Sequence, residues 1–283
     1  MYRDIEELQD KIKAIANLPT LPHVASKLTK MINSPSTSAD IVAALVAQDV
    51  SLSAKVLRLA NSAFYGIPKS VNTLKSAVVV LGFKILHTMV LSLTVFDMFG
   101  KGDSKSVIFD REAFWQHSLR CATIARLLAR TRLGRIAIDP EEAFCAGLLH
   151  DIGKVVMEQY LHTDFHKALL HARVHRISGF EAEKYVLGYT HNDVASWLTT
   201  SWSLPDEILQ PLVHHHEPAL AQSCGDSVML CHIADILSHA GDDFDERELF
   251  PQIKSLGITP KDLTGIIQKI PDEMVKALDF IIL

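Results

Sequence analysis

Apolar residues recur at the helical period along almost the whole of this chain, which leaves little room for a sheet. Ile5, Leu8, Ile12 and Ile15 mark a first amphipathic helix. After the stop at Leu18-Pro19-Thr20-Leu21-Pro22, Val24, Leu28, Met31 and Ile32 mark a second. Ser38 is placed to cap a third, with Ile41, Leu45 and Val46 facing inward, and Gln48-Asp49-Val50-Ser51 leads into a fourth through Leu52, Val56, Leu57 and Leu59. Ser70 to Gly82 reads as a helix that the glycine ends, and Phe83 to Phe99 as a near-continuous apolar one. No stretch reads as a convincing strand, and there is no repeat or low-complexity tract. The expected fold class is all-α: an N-terminal helical bundle packed on a C-terminal helical domain. The polar run Gly100-Lys101-Gly102-Asp103-Ser104-Lys105-Ser106 sets the boundary, giving subdomains at 1–100 and 108–283.

The balance of Lys+Arg 28 against Asp+Glu 33, a formal charge of -5, argues against a general nucleic-acid binder, which needs a basic excess or stripe. Cys121, Cys145, Cys224 and Cys231 include no C-x-x-C spacing, so zinc-ribbon and thioredoxin readings fall away and a reducing cytosol is the simplest compartment. Met1 to Lys13 lacks the apolar core of a signal peptide. The best membrane candidate, Ala77 to Phe99, is interrupted by Lys84, His87 and Asp97 and reads as buried helix. A soluble cytoplasmic protein without membrane association is expected.

The chemistry gathers around Gly147-Leu148-Leu149-His150-Asp151-Ile152-Gly153-Lys154. Asp139-Pro140-Glu141-Glu142 opens this run as a helix start should, and one helix is expected from Pro140 to Tyr160. Lys154 lies one turn from both His150 and Asp151. Of the 14 histidines, most follow His150. Four other helical segments offer His117, His191, His215-His216 and Asp235, the last a carboxylate in an apolar helix, where it is costly without a partner. Imidazoles and carboxylates without thiolates suit iron, manganese, zinc or similar ions, and a bridging carboxylate flanked by imidazoles builds a two-metal site. His214 is expected at the surface, because three consecutive residues cannot face one centre. His232 and His239 are expected to support ligands rather than ligate. His162, His166, His171 and His175 read as solvated or rim residues, since no acidic residue alternates with them at ligand spacing. Arg120, one turn from His117, is a candidate for anion binding.

The order His…His-Asp…His…His-His-Glu…Asp resembles the HD superfamily of metal-dependent phosphohydrolases, and its ligand set is similar to that of the HD-GYP branch. The N-terminal segments Leu18-Pro-Thr-Leu-Pro22, Ala47-Gln-Asp-Val50, Lys55-Val-Leu-Arg-Leu-Ala-Asn61, Ser62-Ala-Phe-Tyr-Gly66 and Ala77-Val-Val-Val-Leu-Gly82 resemble the HDOD family, an HD-related output domain of bacterial signalling proteins. The resemblance covers Leu18 to Pro218. It implies one metal held by His117, His150, Asp151 and Asp235, with Asp151 bridging to a second held by His191, His215 and His216. Lys154 would touch a phosphate or a bridging hydroxide, and Asp151 and Lys154 are the expected catalytic residues. The two divalent ions are expected to be iron, with manganese, zinc and nickel as alternatives. Pro218-Ala219-Leu220-Ala221 stands where the HD-GYP branch carries Gly-Tyr-Pro, which argues against cyclic di-GMP cleavage, and Ala113 stands where some relatives place a glutamate, which argues against a third ion in that centre.

Two functions follow. The first is a regulatory output module that acts on a signalling protein partner, as the HDOD resemblance implies. The alternative, supported by the intact ligand set, is a phosphohydrolase acting on a nucleotide or another phosphate ester. An enzyme needs an open route to the metals, whereas in a module Phe64 or Tyr65 could plug it.

Overall fold

A computed structural model describes residues 22–31, 34, 36–68, 70–100, 108–131, 138–199, 202, 204–239 and 244–278. Among them helices are joined by turns and there is no strand, so the all-α expectation holds. The expected first helix through Ile15, most of the Gly/Ser linker, the middle of the connection after Thr131 and the last residues of the chain lie outside the described residues.

The N-terminal half contains α1 (His23–Met31), α2 (Ala39–Val46), α3 (Val50–Ala60) and α4 (Leu74–Phe99). The starts of α2, α3 and α4 are set by side-chain caps: Ser38 accepts from Ile41 N, Asp49 from Leu52 N and Thr73 from Ser76 N. Gly82, at φ 83°, breaks α4 into two rods at the position where the glycine was expected to end a helix. The helix is long and apolar enough to cross a membrane, yet most of it is buried within the protein, with Leu86, Met89, Val90, Leu91, Leu93 and Val95 facing other helices. Asn61 closes the loop between α3 and α4, accepting from Val71 N and donating to Val71 O.

The C-terminal half is built on α5 (Arg111–Arg130), α6 (Pro140–Leu149) and α12 (Gly225–His239). Around these lie α7 (Ile152–Tyr160), α8 (His162–His175), α9 (Gly179–Leu187), α10 (His191–Thr199) and α11 (Asp206–His214). Three short helices follow, α13 (Phe250–Ser255), α14 (Pro260–Ile267) and α15 (Ile270–Ala277). Helices α5 and α6 approach backbone to backbone: a Cβ at Gly147 would stand 2.8 Å from Ala122 Cα. Asp139 caps α6 and Pro140 occupies its first turn, as expected.

One expectation fails here. The run from Pro140 to Tyr160 is not a single helix but breaks at His150-Asp151, where Asp151 adopts φ -97° and ψ 11°. Asp151 makes no capping bond to α7, because its carboxylate faces Lys154 and the imidazoles instead. Gly153 fixes the direction of α7: a Cβ there would lie 1.9 Å from the carbonyl oxygen of His191, so only glycine lets α7 meet the start of α10.

The larger buried cluster runs from Val24 and Leu59 through Phe99 into Phe114, Phe144 and Leu149, joining N-terminal and C-terminal helices in one core. The loop after α3 contributes Phe64, whose ring packs on Phe144 at 5.0 Å and under the Arg126 guanidinium at 3.8 Å. Arg126 is itself buried and paired with buried Glu141 at 2.7 Å.

Candidate metal centre

Four helical segments, α5, α10, the end of α11 and α12, and the α6–α7 break bring the predicted ligands to one place. Asp151 stands in the middle with its two oxygens divided. Its Oδ1 lies 3.1 Å from His191 Nε2 and 3.6 Å from His215 Nε2. Its Oδ2 lies 3.4 Å from His150 Nε2, 3.6 Å from His117 Nε2 and 2.6 Å from Lys154 Nζ. Asp235, from α12, places Oδ1 3.3 Å from His117 Nε2 and 3.5 Å from His150 Nε2. Two sets with metal-binding spacing result, Asp151 with His191, His215 and His216, and His117 with His150 and Asp235. His214 lies outside both, as expected.

The imidazoles are held by their far nitrogens, so the near ones point inward, where a bound cation would take the place of a proton. His150 Nδ1 donates to Gly147 O at 2.8 Å and His215 Nδ1 to Pro211 O at 3.0 Å; a carbonyl only accepts, so in each ring it is Nε2 that faces the centre. His191 Nδ1 meets the buried carboxylate of Glu183 at 2.6 Å. His117 is fixed through a relay: the Ser238 hydroxyl spends its proton on Asp235 O, so it must accept from His117 Nδ1, 3.0 Å away. Glu183 and Ser238 were not singled out in the sequence, since neither lies at a motif position and buried partners of this kind carry no period.

The inward atoms are then left wanting. Asp151 Oδ1, Asp235 Oδ1 and the Nε2 atoms of His191, His215 and His216 are all buried without a hydrogen-bond partner. Buried polar atoms are seldom left so; four of these converge in the set of Asp151, His191, His215 and His216 and the fifth faces the set of His117 and His150, an arrangement that fits a cation in each. The electrostatics agree. Burial alone would raise the Asp151 carboxyl, but Lys154, His150 and His191 outweigh it and hold it well below the usual carboxylate range. Burial would lower His150, and the two aspartates lift it well above its ordinary value instead. His215, where burial wins, is pushed down to about 4, and His216 falls further through burial and the neighbouring imidazoles. The centre thus attracts positive charge on the His150 side and keeps neutral imidazoles on the His215 side, both suited to divalent ions.

The family described as HDOD domain matches residues 18–218, most of the chain. The chain belongs to the HDOD family. The solved HDOD domain protein of Geobacter sulfurreducens resembles this HDOD chain with a TM-score of 0.81 and 25% identity, covering 99% of this chain and 100% of that one. A Shewanella amazonensis SB2B structure provisionally named a phosphohydrolase gives 0.74 at 25% identity, covering 96% of each chain. A Marinobacter aquaeolei VT8 structure provisionally named a signal transduction protein shares the fold at 0.74 and 23% identity, over 96% of this chain and 61% of that one. An uncharacterized protein of Treponema pallidum (strain Nichols) is 25% identical over 202 residues, 71% of this HDOD chain but only 38% of its own length.

Beside the centre lies a cavity of about 860 Å³, lined by His117, Arg120, Trp115, Arg111, Phe96 and Ser238 among others. Arg120 reaches it as the anion candidate, its Nε buried without a partner. Lys154 sits on Asp151 as expected. Phe64 and Tyr65 dock on Arg126, nine residues after His117 on α5, and Phe64 also packs on Phe144, six residues before His150 on α6. His239 stacks on His117 at 4.2 Å and His232 Nδ1 donates to His215 O at 2.7 Å, so both touch residues of the two candidate sets. One group contradicts the expectation for the α8 histidines: Glu158, His162 and His166 form a further set with metal-binding spacing. Glu158 stands four residues before His162, a spacing the sequence does show; what it hides is the turn at Leu161 that brings His166 to the same carboxylate.

Proposed function

We propose that this HDOD chain is a cytoplasmic bacterial signal-output module built on a dinuclear divalent-metal centre, with iron as the preferred ion. The observation that carries the reading is the division of Asp151, one oxygen towards His191 and His215 and the other towards His117 and His150. In it, His117, His150, Asp151 and Asp235 hold one ion, and Asp151, His191, His215 and His216 the other. The subdomain at 1–100 presents the surface to a signalling protein partner, and that at 108–283 carries the metals.

A second reading, hydrolysis of a nucleotide or another phosphate ester, is favoured by the cavity that opens beside His117. Divalent ions, if held by these residues, would supply Lewis acidity towards a phosphoryl group. The chain's own residues divide the remaining work. Arg120 meets the anion from the cavity, and Lys154 offsets negative charge beside Asp151. Glu183 and Ser238 hold the rings of His191 and His117 in place.

The test is elemental analysis of protein expressed with ample iron, comparing wild type with Asp151→Ala. Two ions per chain lost on substitution support the dinuclear reading; under one ion overturns it. Turnover of phosphodiesters by the wild type and not by Asp151→Ala supports the enzymatic reading. Equal rates for both proteins end it.

A further inference from the structure

Glu158 stands on the last turn of α7 and is only 8% exposed. Its Oε1 lies 3.0 Å from His162 Nδ1, and its Oε2 lies 2.9 Å from His166 Nε2. The two imidazole rings are neighbours, with centroids 3.8 Å apart. On a straight helix, residues eight apart are displaced by about 12 Å along the axis and face directions about 80° apart, so Glu158 and His166 could not meet. They meet because the chain turns at Leu161, with φ -124° and ψ 27°, between α7 and α8. The break turns three side chains that a continuous helix would spread along a stripe into a cluster.

The plain alternative is a carboxylate satisfied by two imidazole hydrogen bonds. It leaves a nearly buried carboxylate whose ion-pair partners among the described residues are imidazoles, which carry charge only when protonated. Two histidines and one glutamate, without thiolate, supply the three protein ligands of an open zinc site, and the His162 side chain, 55% exposed, leaves room for water in the fourth position. We propose that Glu158, His162 and His166 bind one divalent ion, zinc in the first place, at a site separate from the Asp151 centre. The ion ties the start of α8 to the end of α7.

Equilibrium dialysis of the full chain against zinc, with metal counted by mass spectrometry, tests this. His162→Ala/His166→Ala holds one zinc fewer than wild type, and Glu158→Gln, which keeps the shape and removes the charge, binds that ion at least a hundredfold more weakly. Asp151→Ala retains it, and zinc raises the Tm of Asp151→Ala but not of Asp151→Ala combined with the two histidine substitutions. Equal zinc counts in wild type and the double histidine variant overturn the proposal. Should the double variant fail to fold by circular dichroism, the Glu158→Gln affinity decides alone. Failure of the dinuclear reading appears separately, as no ion lost in Asp151→Ala.

Discussion

A methyl group at Gly153 would stand 1.9 Å from a backbone oxygen that cannot move without shifting His191. Alanine gains about 1 kcal/mol of helix propensity over glycine, but overpacking against backbone costs about 3 kcal/mol, so the clash decides the sign. Gly153→Ala is expected to lower the urea midpoint and to reduce metal content, and a stabilised variant would show that α7 and α10 do not meet as described. His87 gives a second prediction. It is buried, donates through Nε2 to Thr29, whose own hydroxyl is spent on Ala25 O, and burial pushes it down to about 4. Its neutral form is the folded form, so its contribution is fully present above the ordinary value near 6.5 and is lost as pH falls from there towards about 4. The loss is on the order of 3 kcal/mol. Urea titrations at pH 7 and pH 4.5 should differ less for His87→Gln than for wild type. At this scale the sequence is legible where chemistry is written as a motif, at His150, Asp151 and Lys154. Glu183 and Ser238 are illegible, because a buried orienting partner is defined only by what it touches.

Helix starts are readable, since Ser38, Asp49 and Asp139 cap through their own side chains. The break at His150-Asp151 is not: no proline marks it, and it exists because contacts from other helices claim Asp151. The same limit hid the meeting of Glu158 with His166, which depends on the turn at Leu161, although Glu158 and His162 already stand at helical spacing. Between elements, the Arg126–Glu141 pair fastens α5 to α6 beneath the Phe64 loop. Arg126→Ala leaves the buried Glu141 carboxylate uncompensated and is expected to cost about 3–5 kcal/mol, whereas Arg126→Met combined with Glu141→Leu recovers most of it. Chemical denaturation of the two variants distinguishes them, and equal losses would show that packing rather than charge holds the helices.

For the molecule as a whole, the helical period was enough to give an all-α fold, and the spread of the candidate ligands over four helical segments and the α6–α7 break ties metal binding to folding. An ion held only by the folded state stabilises it by about 2.7 kcal/mol at a hundredfold excess over its Kd. Chelation should therefore lower the Tm of His162→Ala/His166→Ala, a background that isolates the Asp151 centre, and should leave the Tm of that background unchanged once Asp151→Ala is added. Calorimetry reads both. Finally, α5 carries Arg126, gripped by the aromatic loop of the N-terminal half, and, nine residues earlier, His117, which faces the aspartates. The two are about 13 Å apart along one stiff rod. A protein that tugs on the Phe64 loop therefore has a mechanical handle on the imidazole at the other end, and news can travel along it in either direction.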